Sequence, residues 1–330
     1  MERPSPTFRP GLIGSAPRAP APPKTGVGII KRRRGTGVYV TWLVAPSTIW
    51  LILFLIVPLL SIIVFSFWQI NDQNVMVPNF TLVNYAEYFH TEGFFDPSSD
   101  KFLTLSSNIL TLWTTLRLTM EVMVICLLLA YPIAYFLAMQ VKAFKWQLAL
   151  FLMCMVPFWT SYLIRTVAWV PMLGRRGLVN KFLLWIGIVE KPLGFLLYSE
   201  FSLTLALVQL YVVLCIGPIF FSLAKIDNSI LEAARDMGAK PYQIFREIIL
   251  PLSLPGVAIG MIFIWVMIMG EFATAGLVGG GKMALVGNSI IDLMGTGQYP
   301  PASSIALMLM LTMMIGVFTI LRLVDIRKQL

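Results

Sequence analysis

The chain has 330 residues, 58% of them hydrophobic and 12% charged, with a mean hydropathy of +0.80 and a formal net charge of +9. This balance excludes an ordinary soluble domain and points to a bilayer as solvent. The basic residues stand at the ends of apolar runs and are not interleaved with aromatics on one face, so nucleic-acid binding has no support.

Residues 1–42 carry seven prolines up to Pro23 and the basic cluster Lys31, Arg32, Arg33 and Arg34, without an apolar run able to form a core. They read as a disordered, basic, proline-rich cytoplasmic arm, and residues 43–330 as a transmembrane domain. A signal peptide is the competing reading of the start. The run from Leu43 to Phe67 is too long for a signal's apolar region and lacks a small-residue cleavage site, so it reads as a retained first helix. Five further stretches have roughly the 20 residues needed to cross a hydrocarbon core: Leu116 to Leu137, Leu148 to Val170, Leu203 to Leu223, Leu252 to Ala273 and Ile305 to Leu323. Continuous apolar runs fit helices; barrel strands would be shorter and alternating. The expected fold is an all-α membrane protein with six transmembrane helices.

Of the 25 lysines and arginines, 17 lie in the N-terminal arm, the loop with Lys142 and Lys145, the loop with Lys225, Arg235, Lys240 and Arg246, and the tail with Arg322, Arg327 and Lys328. The positive-inside rule then places both termini in the cytoplasm. The acidic segment with Asp72, Glu87, Glu92, Asp96 and Asp100 faces outward. Residues 172–200 fit poorly, with Arg175, Arg176, Lys181 and Lys191 on the expected outer face beside Glu190 and Glu200. That segment is structured against the membrane, a docking surface, or a plain exception to a statistical rule.

The loop over 225–251 carries the densest local signals. Ser229 followed by Glu232 reads as a capping box opening a short helix, Gly238 as its left-handed closure, and Pro241 as the first turn of a second helix. Ile230, Ala233, Ala234 and Met237 fall at i, i+3, i+4 and i+7, one small apolar stripe suited to a partner's groove. Packing on the chain's own bundle fits the same pattern equally well.

Glu232-Ala233-Ala234, Gly238, Ile248, Leu250 and Pro251 resemble the EAA loop of binding-protein-dependent ABC importer permeases at every consensus position. Residues 156–180, the run from Leu231 to Val257, and residues 270–290 are similar to the spermidine/putrescine-type permeases. Together with the six spans, the likeness covers about residues 40–325. The resemblance implies a type I importer permease fold in a bacterial inner membrane, with the loop acting as a coupling helix that docks into a cytoplasmic ATPase. It implies a polyamine or other small cationic substrate. The implied partners are two ATP-binding subunits, a second homologous permease and a periplasmic or extracellular substrate-binding protein. It also implies no catalysis and no cofactor on this chain, ATP and magnesium being used by the partner ATPase. An ion-gradient-driven secondary transporter is the first alternative, and it would not require the charged loop. A membrane-embedded enzyme or sensor is the second, and it lacks supporting clusters. Cys126, Cys154 and Cys215 all sit in apolar runs and His90 is the one histidine, so no metal or nucleophilic site is expected.

Four ionisable residues fall within or at the edge of spans: Arg117, Glu121, Arg165 and Glu271. Intramembrane charge is costly and faces a cavity or a partner charge. Arg117 and Glu121, at i and i+4, are expected to pair. Glu271, between Gly270 and Phe272, either holds a cationic amine at the translocation path or pairs with Arg165. On span three Phe158, Tyr162 and Trp169 share a face with Arg165, and Trp159 borders it. Aromatic faces beside a carboxylate suit an alkyl diammonium through cation–π attraction; the interfacial aromatic belt accounts for them without a substrate. Trp169 fits the belt, and mid-span Trp159 the path. The segment GLVGGGKM (276–283) falls one position short of a P-loop, because Met283 has no hydroxyl for magnesium, and nucleotide binding there is rejected.

Overall fold

The computed structural model describes residues 36–71, 75–89 and 106–324. The arm over 1–35, Asp72, His90, Glu92, Asp96, Asp100, Lys101, Arg327 and Lys328 lie outside the described residues. The chain divides into two units, Met1–Phe54 and Leu55–Leu330.

In the first unit, helix α1 (Thr36–Leu51) carries Pro46 inside it and leaves Trp42, Leu43, Ile49 and Trp50 exposed. It begins ahead of Leu43, so the helix takes in the last residues of the stretch expected to be a disordered arm.

The second unit starts with α2 (Val57–Ser66), a two-stranded antiparallel hairpin of β1 (Gln69–Ile70) and β2 (Met76–Val77), and α3 (Val83–Phe89). Buried Asn84 donates to the carbonyls of Ser66 at 2.9 Å and Trp68 at 2.8 Å, satisfying oxygens that the end of α2 leaves open. There follow α4 (Ser107–Tyr135), α5 (Phe144–Met155), α6 (Tyr162–Leu173), α7 (Leu178–Ile186) and α8 (Glu200–Leu223). After these come α9 (Asn228–Asp236), α10 (Pro241–Ile244), α11 (Leu250–Met269), α12 (Ala273–Leu277), α13 (Val286–Gly295) and α14 (Tyr299–Leu323). Five-residue π-helical segments prolong α4 (Phe136–Gln140) and join α10 to α11 (Phe245–Ile249).

The centre of the bundle is α8, which packs on α4 and α11 and buries Leu203, Leu207, Ile219 and Leu223 completely. Lipid tails are as apolar as leucine, so helices in a bilayer associate through close packing, for which small residues are needed. Gly256 and Gly260, four apart on α11, provide it. A Cβ on Gly256 would stand 2.4 Å from the Pro218 carbonyl oxygen, and one on Gly260 would stand 2.9 Å from the Cys215 sulfur.

Among the described residues, five helical stretches are long and apolar enough to cross a membrane: Trp42–Ser66, Ser107–Gln140, Glu200–Leu223, Pro241–Met269 and Tyr299–Leu323. The run expected as one span over Leu148 to Val170 is instead a pair, Phe144–Trp159 and Tyr162–Ile186, bent by 83°. The cause is local. Pro157 lacks the amide a helix would need, the turn Val156–Trp159 tightens to a 3₁₀ form, and Thr160 and Ser161 are extended. Hydropathy runs on through this break. The span expected to reach Ala273 also stops short, with α11 ending at Met269 and Glu271 beyond it.

Candidate functional site

The loop over 225–251 forms a short helix followed directly by a long one. Asp227 caps α9: its side chain accepts the Ser229 backbone N–H at 3.0 Å. That hydrogen bond, reinforced by the Ser229 side chain, holds the Asp227 carboxyl below its usual range. The expected Ser229–Glu232 capping box is therefore corrected. The helix starts earlier, because Asp227 precedes Ser229 and a carboxylate competes well for the first free amides. At the other end Gly238 adopts a φ of +83°. The Gly238 N–H donates to the Arg235 carbonyl at 2.8 Å and the Ala239 N–H to the Ala234 carbonyl at 3.0 Å, a complete Schellman closure. Pro241 stands in the first turn of the second helix, as expected, and that helix runs on to Met269. Ile248 ends in the π segment, and Leu250 and Pro251 form the first turn of α11.

The expected stripe on α9 divides between two faces. Leu231 and Ala234 are buried against the chain's own bundle, whereas Ile230, Ala233 and Met237 are exposed, Met237 at 82%. Ala234 is thus corrected to the inward face, and Leu231 is an anchor that the i, i+3, i+4, i+7 pattern passed over. Its signal was present. A leucine beside Ala234 on a nine-residue helix offers a second apolar face. Glu232 and Arg235 are exposed and line a cavity of about 790 Å³ with Tyr135, Lys142, Gln147 and Asn228.

The second constellation centres on Glu271, 4% exposed. Tyr162 donates its hydroxyl to Oε1, and Tyr211 donates to Oε2 at 2.6 Å. The Thr274 backbone N–H donates to Oε1 at 2.9 Å, and the Tyr162 and Thr274 hydroxyls meet at 2.9 Å. One carboxylate therefore ties the start of α6, the middle of α8 and the α11–α12 junction. Two aromatic hydroxyls and a backbone amide allow it to be buried without an ion pair among the described residues.

Pairing of Glu271 with Arg165 is not found, although Arg165 lies one turn beyond Tyr162; its Nε and Nη1 are buried without a hydrogen-bond partner. Arg117 pairs with Glu200 on α8, not with Glu121, which is exposed. The pair links α4 to the first residue of α8. Phe158 and Trp159 belong to the turn before the bend, so they do not share a helical face with Tyr162 and Arg165. Trp159 is 84% exposed and Phe272 is 45% exposed. Tyr211 and Thr274 were not anticipated. A buried tyrosine hydroxyl needs an acceptor, but nothing in the sequence around Tyr211 identifies Glu271 as that acceptor.

No family model matches the chain. Among curated proteins it is 35% identical over 272 residues to the spermidine/putrescine transport system permease protein PotB of Escherichia coli strain K12, spanning 82% of this chain and 92% of that one. It is 32% identical over 274 residues to the protein of the same name from Haemophilus influenzae, spanning 83% and 90%. Among solved structures it is similar to a chain of a bacterial alginate ABC transporter in complex with an alginate pentasaccharide-bound periplasmic protein. The TM-score is 0.65 at 18% identity, with 87% of this chain and 96% of that one covered, which is a likeness of fold. On the identity and its coverage, the chain belongs to the spermidine/putrescine-type permeases of ABC transport systems.

Proposed function

We propose that the chain is the permease subunit of an ATP-driven importer that carries a polyamine such as putrescine or spermidine across a bacterial inner membrane. The observation that carries this reading is the uncovered Ile230–Ala233–Met237 face of α9 in a chain of this family. Counting the bent pair as one span gives six, and the lysine and arginine distribution supports cytoplasmic termini and a cytoplasmic α9. The outward face of α9 enters a groove of a soluble ATPase, two copies of which hydrolyse ATP with magnesium. This chain contributes no catalysis and binds no cofactor. A second permease completes the pathway, and an external binding protein delivers the substrate.

The mechanism follows from connectivity. ATP-driven closure of the partner displaces α9, which joins α8 and the Pro241–Met269 stretch through short links. Those two helices carry Tyr211 and lead to Glu271, so movement at the loop reaches the hydrogen bonds around Glu271 and alternates access between the two sides. Trp159 and Phe272, exposed at the two chain breaks, offer ring faces to an alkyl ammonium. Glu271, behind them, acts through the Tyr162 it holds, with Arg165 alongside.

The test is uptake of labelled putrescine or spermidine into proteoliposomes holding this chain with its ATPase, second permease and binding protein. Uptake should require ATP and all partners. Accumulation by the chain alone under an ion gradient would overturn the reading.

A further inference from the structure

The segment between α6 and α8 is held as a folded unit. Asn180 is completely buried; its amide donates to the carbonyls of Gly174 at 3.0 Å and Leu193 at 3.1 Å, and its oxygen accepts the Leu193 N–H at 2.8 Å. At about 100° per residue, Leu178, Phe182 and Trp185 fall on the face of α7 opposite Asn180. All three are uncovered, at 65%, 58% and 83%. Arg175 and Arg176 precede the helix, Lys181 flanks its apolar face and Lys191 follows it, all exposed and without an ion pair among the described residues.

Nine residues reach only about 13 Å as helix, far short of a hydrocarbon core of about 30 Å. A short helix with an apolar face, a tryptophan on that face and cations along its flank has the chemistry of the headgroup boundary. We propose that α7 lies in the plane of the membrane interface, Leu178, Phe182 and Trp185 entering the acyl boundary and Arg176 and Lys181 meeting anionic phospholipid headgroups. Charge complementarity favours lipid as the occupant, because the segment presents four cations against one carboxylate, Glu190, the other, Glu200, being paired with Arg117. Continuity favours it too, since Leu163, Ile164 and Val167 on the adjoining α6 are also exposed. Basic residues on the expected outer face then have a local partner. The proposal rests on the membrane reading of the bundle, and not on the substrate or the ATPase.

The experiment places the full chain in nanodiscs of brominated phosphatidylcholine, with and without phosphatidylglycerol, and takes the emission of Trp185 as the difference between wild type and Trp185→Phe. Bromolipid should remove most of that emission and aqueous acrylamide little of it. Loss to acrylamide instead places Trp185 in water and overturns the proposal. Loss to neither quencher means that protein covers the face, and overturns it as well. The remaining tryptophans report whether the bundle itself has inserted, so a failure of the membrane reading is seen separately. With phosphatidylglycerol present, Arg176→Gln with Lys181→Gln should return Trp185 quenching to the level in phosphatidylcholine alone. Equal wild-type quenching in the two lipids would remove the anionic headgroups from the proposal.

Discussion

Tyr211 on α8 donates its hydroxyl to the carboxylate of Glu271 at 2.6 Å, joining the central helix of the bundle to the end of its neighbour. Leaving a buried carboxylate oxygen without its donor costs about 1–3 kcal/mol. Tyr211→Phe should therefore lower stability by about that amount, read as a loss of thermal unfolding temperature in detergent. Glu271→Ala should cost more than Glu271→Gln, whose amide still accepts one of the two hydroxyls. Equal melting of all three variants and wild type would show that the cluster does not hold these helices.

The two faces of α9 separate docking from folding. Met237→Glu, on the exposed face, should leave thermal unfolding unchanged and abolish co-purification of the ATPase. Leu231→Ala, on the buried face, should cost about 2–5 kcal/mol by opening a cavity, and capture should fall only with the loss of folded protein. The opposite assignment of effects would place the docking surface elsewhere.

Gly238 has open space around its missing Cβ, so Gly238→Ala carries only the left-handed backbone cost of roughly 1–2 kcal/mol. Gly238→Pro cannot reach a φ of +83° and removes the N–H that meets Arg235. It should uncouple ATP hydrolysis from uptake, whereas alanine keeps the two linked at reduced yield. Parallel phosphate-release and uptake assays check this.

Gly256→Val should fail by overpacking. Its Cβ would meet the Pro218 carbonyl oxygen, backbone that cannot step aside, and strain of this kind costs about 1–3 kcal/mol. The measurement is the yield of monodisperse protein and its unfolding temperature. Gly217→Ala on α8, with nothing near its Cβ position, is the matched control and should be close to neutral.

What the sequence made legible was local. Long apolar runs located the membrane-crossing stretches, and Gly238 and Pro241 marked the turn of the loop because each residue type has one strong backbone preference there. The N-terminal cap was misplaced because Asp227, Asn228 and Ser229 are all competent caps in a row. The bend at Thr160 was hidden by hydropathy, which averages over Pro157. Partners brought from other helices were illegible in sequence. Glu271 takes Tyr162 and Tyr211, and Arg117 takes Glu200, through the way α4, α6, α8 and α11 pack, which no sequence spacing records.

The π segment Phe245–Ile249 sets a rotational phase. The Leu250 N–H returns to the Phe245 carbonyl, five residues back, so the stretch accommodates one residue more than an α-helical turn would. Each residue turns a helix by about 100°. Without the extra one, Gly256 and Gly260 would be turned by about 100° from α8 whenever Pro241 kept its place beside α9. Deleting a single residue from this segment would thus leave both ends of the Pro241–Met269 stretch intact and misalign them, as a gear slipped by one tooth still turns but no longer meshes.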